Sequence, residues 1–311
     1  MLESHIQVKR TQISCYRETE LYIKNSAGDF VLYKSANRSI DADKYAQEDY
    51  PPLYLLDENK ASAILELRTA LNKNLAEMIC SGSLPAAKVA LCEIVQEVIS
   101  DNPPTSDLSC FPETIDILYE GYCQASSILK DFVNIPYGGY SLVEHCANVV
   151  TLVLNYCLFY DFSEDETKKL SLGALLHDMG LSRIDKRIIE TDRKLTDEEY
   201  RIHKTHAAIG HDLIKESGDI DVSIAKGVLE HHERLDGSGY PRGVAHISFA
   251  GRLLGLIDSF DSLSSSEKQH RRKQKSFAAL LKIKDEVFLE GKFEKEIFKN
   301  FCLSLGKKTV F

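Results

Sequence analysis

The chain has 311 residues, enough for two domains, and its 43% apolar content excludes a disordered or fibrous class. Lys and Arg number 38 against 47 Asp and Glu, a net charge of −9, so DNA or RNA binding has no electrostatic support, although a metal cluster would let a nucleotide bind locally. Eight scattered cysteines lack a Cys-x-x-Cys pair, and the N-terminus lacks a basic-then-apolar leader pattern; both fit reduced thiols in a cytoplasmic protein.

In chain order, residues 12–56 read as short strands punctuated by turns. Leu21-Tyr22-Ile23 and Phe30-Val31-Leu32-Tyr33 flank Asn25 to Gly28 as a hairpin, and Leu53 to Leu56 form another strand after Pro51-Pro52. Ile64, Leu67, Leu71, Leu75 and Met78 then recur at helical spacing over residues 60–79. Ser81-Gly82-Ser83 with Pro85 marks the expected boundary between a small α+β N-terminal domain (1–84) and a mainly α, helical-bundle domain (85–311).

From Ala86 the pattern is helical almost throughout. One helix runs to Ser100 and stops at Asp101-Asn102-Pro103-Pro104; a second covers Glu113 to Phe132. A third begins at Ser141 with Leu142, His145, Val149, Leu152 and Tyr156 on one face. Its most apolar part, Val149 to Tyr160, is too short for a membrane span and is interrupted by Thr151 and Asn155. A fourth helix runs through Leu172, Leu175 and Leu176 into His177-Asp178, with Gly180 as its stop. Thr196 and Glu199 form a capping box that opens the next helix, where Ile202, His206, Ile209 and Leu213 share a stripe and His203 and His211 lie off it, on the surface. Ile224, Val228 and Leu229 lead into His231-His232, and the helix Arg252 to Leu263 carries Asp258 and Asp261 one turn apart. The basic run His270 to Lys275 reads as a solvated face.

Adjacent helical histidines project about 100° apart, so His231 and His232 reach one metal edge-on or serve two neighbouring positions. Each inward histidine alone is an ordinary core residue. Together, His145, His177, Asp178, His206, His231, His232 and Asp258 offer five imidazoles and two carboxylates from separate helices. That donor set suits iron, manganese or zinc rather than calcium or magnesium. It exceeds one tetrahedral zinc site and fits two metals bridged by a carboxylate.

The order His145, His177-Asp178-Met179-Gly180, His206, His231 to Pro241 (His-His-Glu-Arg-Leu-Asp-Gly-Ser-Gly-Tyr-Pro), then Asp258-Ser259-Phe260-Asp261 resembles the HD-GYP family, the branch of HD-superfamily metal phosphohydrolases that degrades cyclic di-GMP in bacteria. The likeness runs from about Ser141 to the C-terminus. It implies an HD-type bundle, two metal ions (iron first, then manganese, zinc less so), a cyclic dinucleotide substrate and a signalling role. By resemblance, Asp178 bridges the ions; His145, His177 and Asp258 complete one site, and His206, His231 and His232 the other. Asp178 and Asp261 carry the catalytic roles, Asp261 as the aspartate beside the first site. Activated hydroxide would attack phosphorus. Arg234, Gly239, Tyr240 and Pro241 would shape the substrate cleft, with Lys268 and Arg271 reaching it from a rearranged loop. Residues 1–84 resemble, more weakly, the small α+β domain that precedes some family members.

Three departures accompany the likeness. Leu181 replaces the family's usual Lys after H-D-x-G, Glu267-Lys268-Gln269-His270 replaces Arg-Pro-Tyr-Arg, and Ser141 stands where members with three metals carry Glu. The first two weaken phosphate binding and the third favours two metals. Three functions therefore compete: a cyclic di-GMP phosphodiesterase, a catalytically weak or inactive metal-containing module that docks signalling proteins through the Gly-Tyr-Pro loop or the N-terminal domain, and a hydrolase of another phosphoester.

Overall fold

The computed structural model describes residues 4–99, 108–124, 132, 133, 135, 142–218, 220–265 and 276–306. Ser141, Glu267, Lys268, Gln269, His270 and Arg271, and with them the basic run to Lys275, lie outside the described residues. The chain divides into two compact units, 1–74 and 75–311, and the division falls within a single helix, α1 (Lys60–Cys80).

The first unit is an antiparallel sheet of β1 (His5–Gln7), β2 (Leu21–Lys24), β3 (Phe30–Lys34) and β4 (Leu53–Leu56), in the order β1-β4-β2-β3. The expected hairpin is β2–β3. Its turn is made by Asn25, whose Oδ1 accepts N–H from Ala27 and Asp29, each at 2.9 Å, while Gly28 takes a φ of +94°. Leu53 and Leu55 of β4 are buried and alternate with half-buried Tyr54 and Leu56, the period-two pattern of a strand with one covered face. The edge strand β1 pairs Ile6 with Leu55; three residues are too few to show a period.

The second unit is helical. Its elements are α2 (Leu84–Val98), α3 (Cys110–Gln124), α4 (Leu142–Phe159), α5 (Glu164–Leu176), a 3-10 turn (Met179–Arg183), α6 (Asp197–Lys204), α7 (His206–Ser217), α8 (Val222–Glu230), α9 (Phe249–Ser265), α10 (Ser276–Phe288) and α11 (Lys295–Gly306). The centre is α4, buried from Val143 to Cys157 and packed against α2, α5, α9 and α11. As a covered helix it is apolar almost all round, apart from the buried Glu144, His145, Asn148, Thr151 and Asn155. Taken whole, α4 has the 18 residues and the composition to cross a membrane, which its most apolar part alone lacked, yet 83% of it is buried within the protein.

Two local readings need correction. The helix opened by the Thr196–Glu199 capping box ends at Lys204, and α7 starts afresh at His206, so Ile202 is 39% exposed and leaves the stripe. Gly180 is not a left-handed stop. It sits in the 3-10 turn where a Cβ would lie 2.0 Å from the carbonyl oxygen of His206, so glycine is needed for close packing of this turn on α7.

Candidate metal centre

All seven candidate ligands converge, and the convergence is organised by Asp178. This residue follows α5 and is buried. Its Oδ1 faces Nε2 of His206 at 3.3 Å and of His231 at 3.9 Å. Its Oδ2 faces Nε2 of His177 at 3.4 Å and of His145 at 4.0 Å. Asp178 is thus common to two groups able to hold an ion, one with His206, His231 and His232, the other with His145 and His177. Asp258 of α9 lies between them, with Oδ1 3.0 Å from His145 Nε2 and Oδ2 3.7 Å from His232 Nδ1.

The backbone sets the imidazoles. Nδ1–H of His177, His206 and His231 donates to the carbonyl three residues earlier (Ala174, His203 and Val228) at 2.8, 2.6 and 2.6 Å, which turns each Nε2 toward Asp178. Each of these histidines sits at a helix terminus, where such carbonyls and orientations are free. His231 and His232 lie just past the end of α8, with ring centroids 3.9 Å apart, so the turn overrides the 100° divergence of a helix and both rings face the cluster. Nε2 of His177 is fully buried without a hydrogen-bond partner, a cost unless a ligand is coordinated there.

Burial and the neighbouring charges divide the protonation states of the cluster. Burial pushes the Asp178 carboxyl up, but His177, His206 and His145 around it hold it well below the ordinary range. Burial, together with His177 and His206, pulls the His231 imidazole down to about 3, and burial beside His231 pulls His232 down strongly as well. Burial would lower His145 too, but Asp258 and Asp261 raise it well above its usual value. Asp178, His231 and His232 are thus in the forms that coordinate, an ionised carboxylate and neutral imidazoles, whereas His145, and His177, which burial would lower but Asp178 raises, must each give up a proton to bind an ion. The residues therefore fit a metal centre.

The HD domain family matches residues 138–288, a span holding every one of these ligands. The chain is 24% identical over 243 residues to the cyclic di-GMP phosphodiesterase PA4108 of Pseudomonas aeruginosa, covering 77% of this chain and 56% of that protein. It is 39% identical over 106 residues to a cyclic di-GMP phosphodiesterase of Thermotoga maritima, covering 33% of this chain and 29% of that one. The fold is similar to Bd1817, a HDG"Y"P protein from Bdellovibrio bacteriovorus, with a TM-score of 0.65 at 15% identity over 98% of this chain and 100% of that one. Residues 138–288 match an HD domain. The chain spans about half or less of the length of these phosphodiesterase relatives.

In this domain the loop from His231 to Pro241 is fastened by two buried acids that periodicity does not single out. Glu233 accepts N–H from Arg242 at 2.8 Å and Val244 at 3.0 Å; Glu230 accepts from Ser248 N–H and the Arg242 guanidinium at 2.8 and 2.7 Å. Gly239 passes so close to the His232–Arg234 backbone that a Cβ would sit 2.4 Å from Glu233 Cα, and Tyr240 donates its N–H to His232 O at 3.1 Å. The Tyr240 ring, followed by Pro241, stacks on His232 with centroids 4.5 Å apart. Arg234 is turned to other work, donating to the carbonyls of His231 and Glu233 and to Ser259 Oγ. Leu181 is buried, so the stretch after His177-Asp178 offers apolar packing in place of a cation. His203 is half-buried, its ring 5.1 Å from that of His206, rather than a surface residue.

Behind His145 lies a polar chain that the sequence hides. His145 Nδ1–H donates to Asp261 Oδ2 at 2.8 Å, Asp261 Oδ1 accepts from Asn148 Nδ2 at 3.0 Å, and Asn148 Oδ1 accepts from Lys88 Nζ. Asn148 follows His145 by three residues on one helix face, a detectable signal. Lys88 has none: it sits in an apolar helix like any solvated lysine, yet is fully buried.

Proposed function

We propose that this chain is a metal-dependent phosphodiesterase that opens cyclic di-GMP to its linear product, using two ions that share Asp178. The observation carrying the proposal is the division of one buried carboxylate between two histidine groups, Oδ1 toward His206 and His231 and Oδ2 toward His177 and His145. His145, His177 and Asp258 would hold one ion and His206, His231 and His232 the other. Iron suits a mixed imidazole–carboxylate set, with manganese second. Bound ions of this kind supply Lewis acidity to a phosphoryl group and an activated water.

The chain's own residues supply the positioning. Asp261 accepts the Nδ1 proton of His145 and so presents the opposite nitrogen to the cluster. Glu230 and Glu233 pin the loop so that Tyr240, with Gly239 and Pro241, walls the side next to His232. Lys268 and Arg271 would meet substrate phosphate from their own segment. The substrate is inferred from the phosphodiesterase relatives, and a cyclic dinucleotide is a dianion that needs such charge. Turnover of cyclic di-GMP by protein of measured metal content, purified without air, tests this reading.

Leu181 favours a second reading. With a buried leucine in place of a cation, and with Arg234 bonded to backbone carbonyls, this would be a metal-holding module that signals without hydrolysis. Two ions bound without hydrolysis would select it.

A further inference from the structure

We infer that Lys88 is a positioning residue for the metal centre, acting on His145 through Asn148 and Asp261. A lysine without exposed surface is rare unless its charge is used. Lys88 lies on α2, with Nζ 5.0 Å from the Phe132 ring centre, and its hydrogen bond goes to Asn148 on α4. Burial pulls the Lys88 ammonium below its ordinary range, and Cys92, Glu144 and Asp261 oppose that pull by Coulomb attraction.

The direction of the chain is fixed by its ends. An ammonium only donates, so the Asn148 amide must present Oδ1 to Lys88 and therefore Nδ2 to the other side. There Asp261, a carboxylate that only accepts, takes Nδ2–H on Oδ1 and is left with Oδ2 for His145 Nδ1–H, at 2.8 Å. That bond selects the tautomer whose Nε2 lone pair faces Asp258 and Asp178. Without Lys88 the amide loses its reason to hold one orientation. A flipped amide would set its carbonyl oxygen against the Asp261 carboxylate, and the support for His145 would loosen. His206 and His231 are held by backbone carbonyls and do not depend on this chain.

This inference rests on the two-ion reading above and predicts an effect on one ion only. The test is a cobalt(II) titration of the whole chain, followed by d–d absorption and calorimetry, for wild type, Lys88→Met, Lys88→Gln, Asn148→Leu and the Lys88→Met/Asn148→Leu pair. Partners behind metal ligands command about 10–100-fold in affinity; Lys88 stands further back, so Lys88→Met should weaken one equivalent roughly tenfold, the lower edge of that range, and leave the other unchanged. Lys88→Gln, which keeps an N–H for Asn148, should recover part of the loss. In the Asn148→Leu background Lys88→Met should add nothing, because the chain is already cut. Equal weakening of both equivalents, an unchanged affinity in Lys88→Met or Asn148→Leu, or additive losses in the pair would each overturn the inference while leaving the two-ion reading intact. A wild type that takes up no cobalt would overturn both.

Discussion

Adding one methyl group at Gly180 should damage the metal centre although residue 180 is not a ligand. A Cβ there would lie 2.0 Å from His206 O and 2.7 Å from Gly210 N, both backbone atoms of α7. Ordinary contact begins near 3.4 Å, so the 3-10 turn and α7 must separate by about 1.4 Å. Overpacking costs about 1–3 kcal/mol, and backbone on both sides places this case near 3. For a helical unit spanning 75–311, each kcal/mol moves the melting temperature by about 2–4 °C, giving a drop of about 6–12 °C. The same displacement moves His206 away from Asp178, now 3.3 Å from it, whereas metal–ligand distances tolerate about 0.2 Å. Gly180→Ala should therefore lose the ion on the His206 side. Thermal melts by circular dichroism and elemental analysis of metal-loaded protein measure both effects. Gly306→Ala, where a Cβ meets nothing within 4 Å, is the control. A Gly180→Ala protein that melts with wild type and keeps full metal content would refute the packing argument.

Asp178→Ala should lose both ions and the stabilisation that they give, about 2.7 kcal/mol at a free metal concentration of 100 times Kd; full metal content with an unchanged melt would show it to be a bystander. Glu233→Ala leaves the N–H groups of Arg242 and Val244 without acceptors, at about 1–3 kcal/mol each, so limited proteolysis should cut near residue 242 faster than in wild type. The N-terminal unit carries an acid-sensitive contact. Burial pushes the Glu66 carboxyl up, but N–H groups of Glu18, Arg17 and Thr19 and the Thr19 hydroxyl win and hold it below 4.5. A depressed carboxylate stabilises fully above its unfolded value and loses that contribution as pH falls through its folded one. Stability should thus fall below about pH 4.5 in wild type and fall less in Glu66→Gln, as read by urea melts across pH; parallel curves would remove Glu66 from the account.

Elements governed by local chemistry were legible. The hairpin around Asn25 and the Thr196–Glu199 capping box appear where their residues predict, because a turn and a cap are decided within a few positions. The convergence of the seven candidate residues was legible because five histidines on apolar helix faces have no shared ordinary cause. What stayed hidden depends on the third dimension. The helix break at Thr205 has no glycine or proline to mark it, and it frees the end of α7 to point His206 at Asp178. Gly180 looks like a helix stop until α7 is seen against it. Glu230 and Glu233 look like solvated acids near a loop, and Lys88 like a solvated base, until the partners that bury them are known.

The most direct test of the central claim is hydrolysis of cyclic di-GMP by anaerobically purified chain whose metal content is measured on the same sample. The account predicts two ions per chain, linear dinucleotide as product, and loss of both metal and turnover in Asp178→Ala. Protein that carries two ions and leaves cyclic di-GMP intact would contradict the phosphodiesterase assignment, and protein that saturates with one ion would contradict the sharing of Asp178.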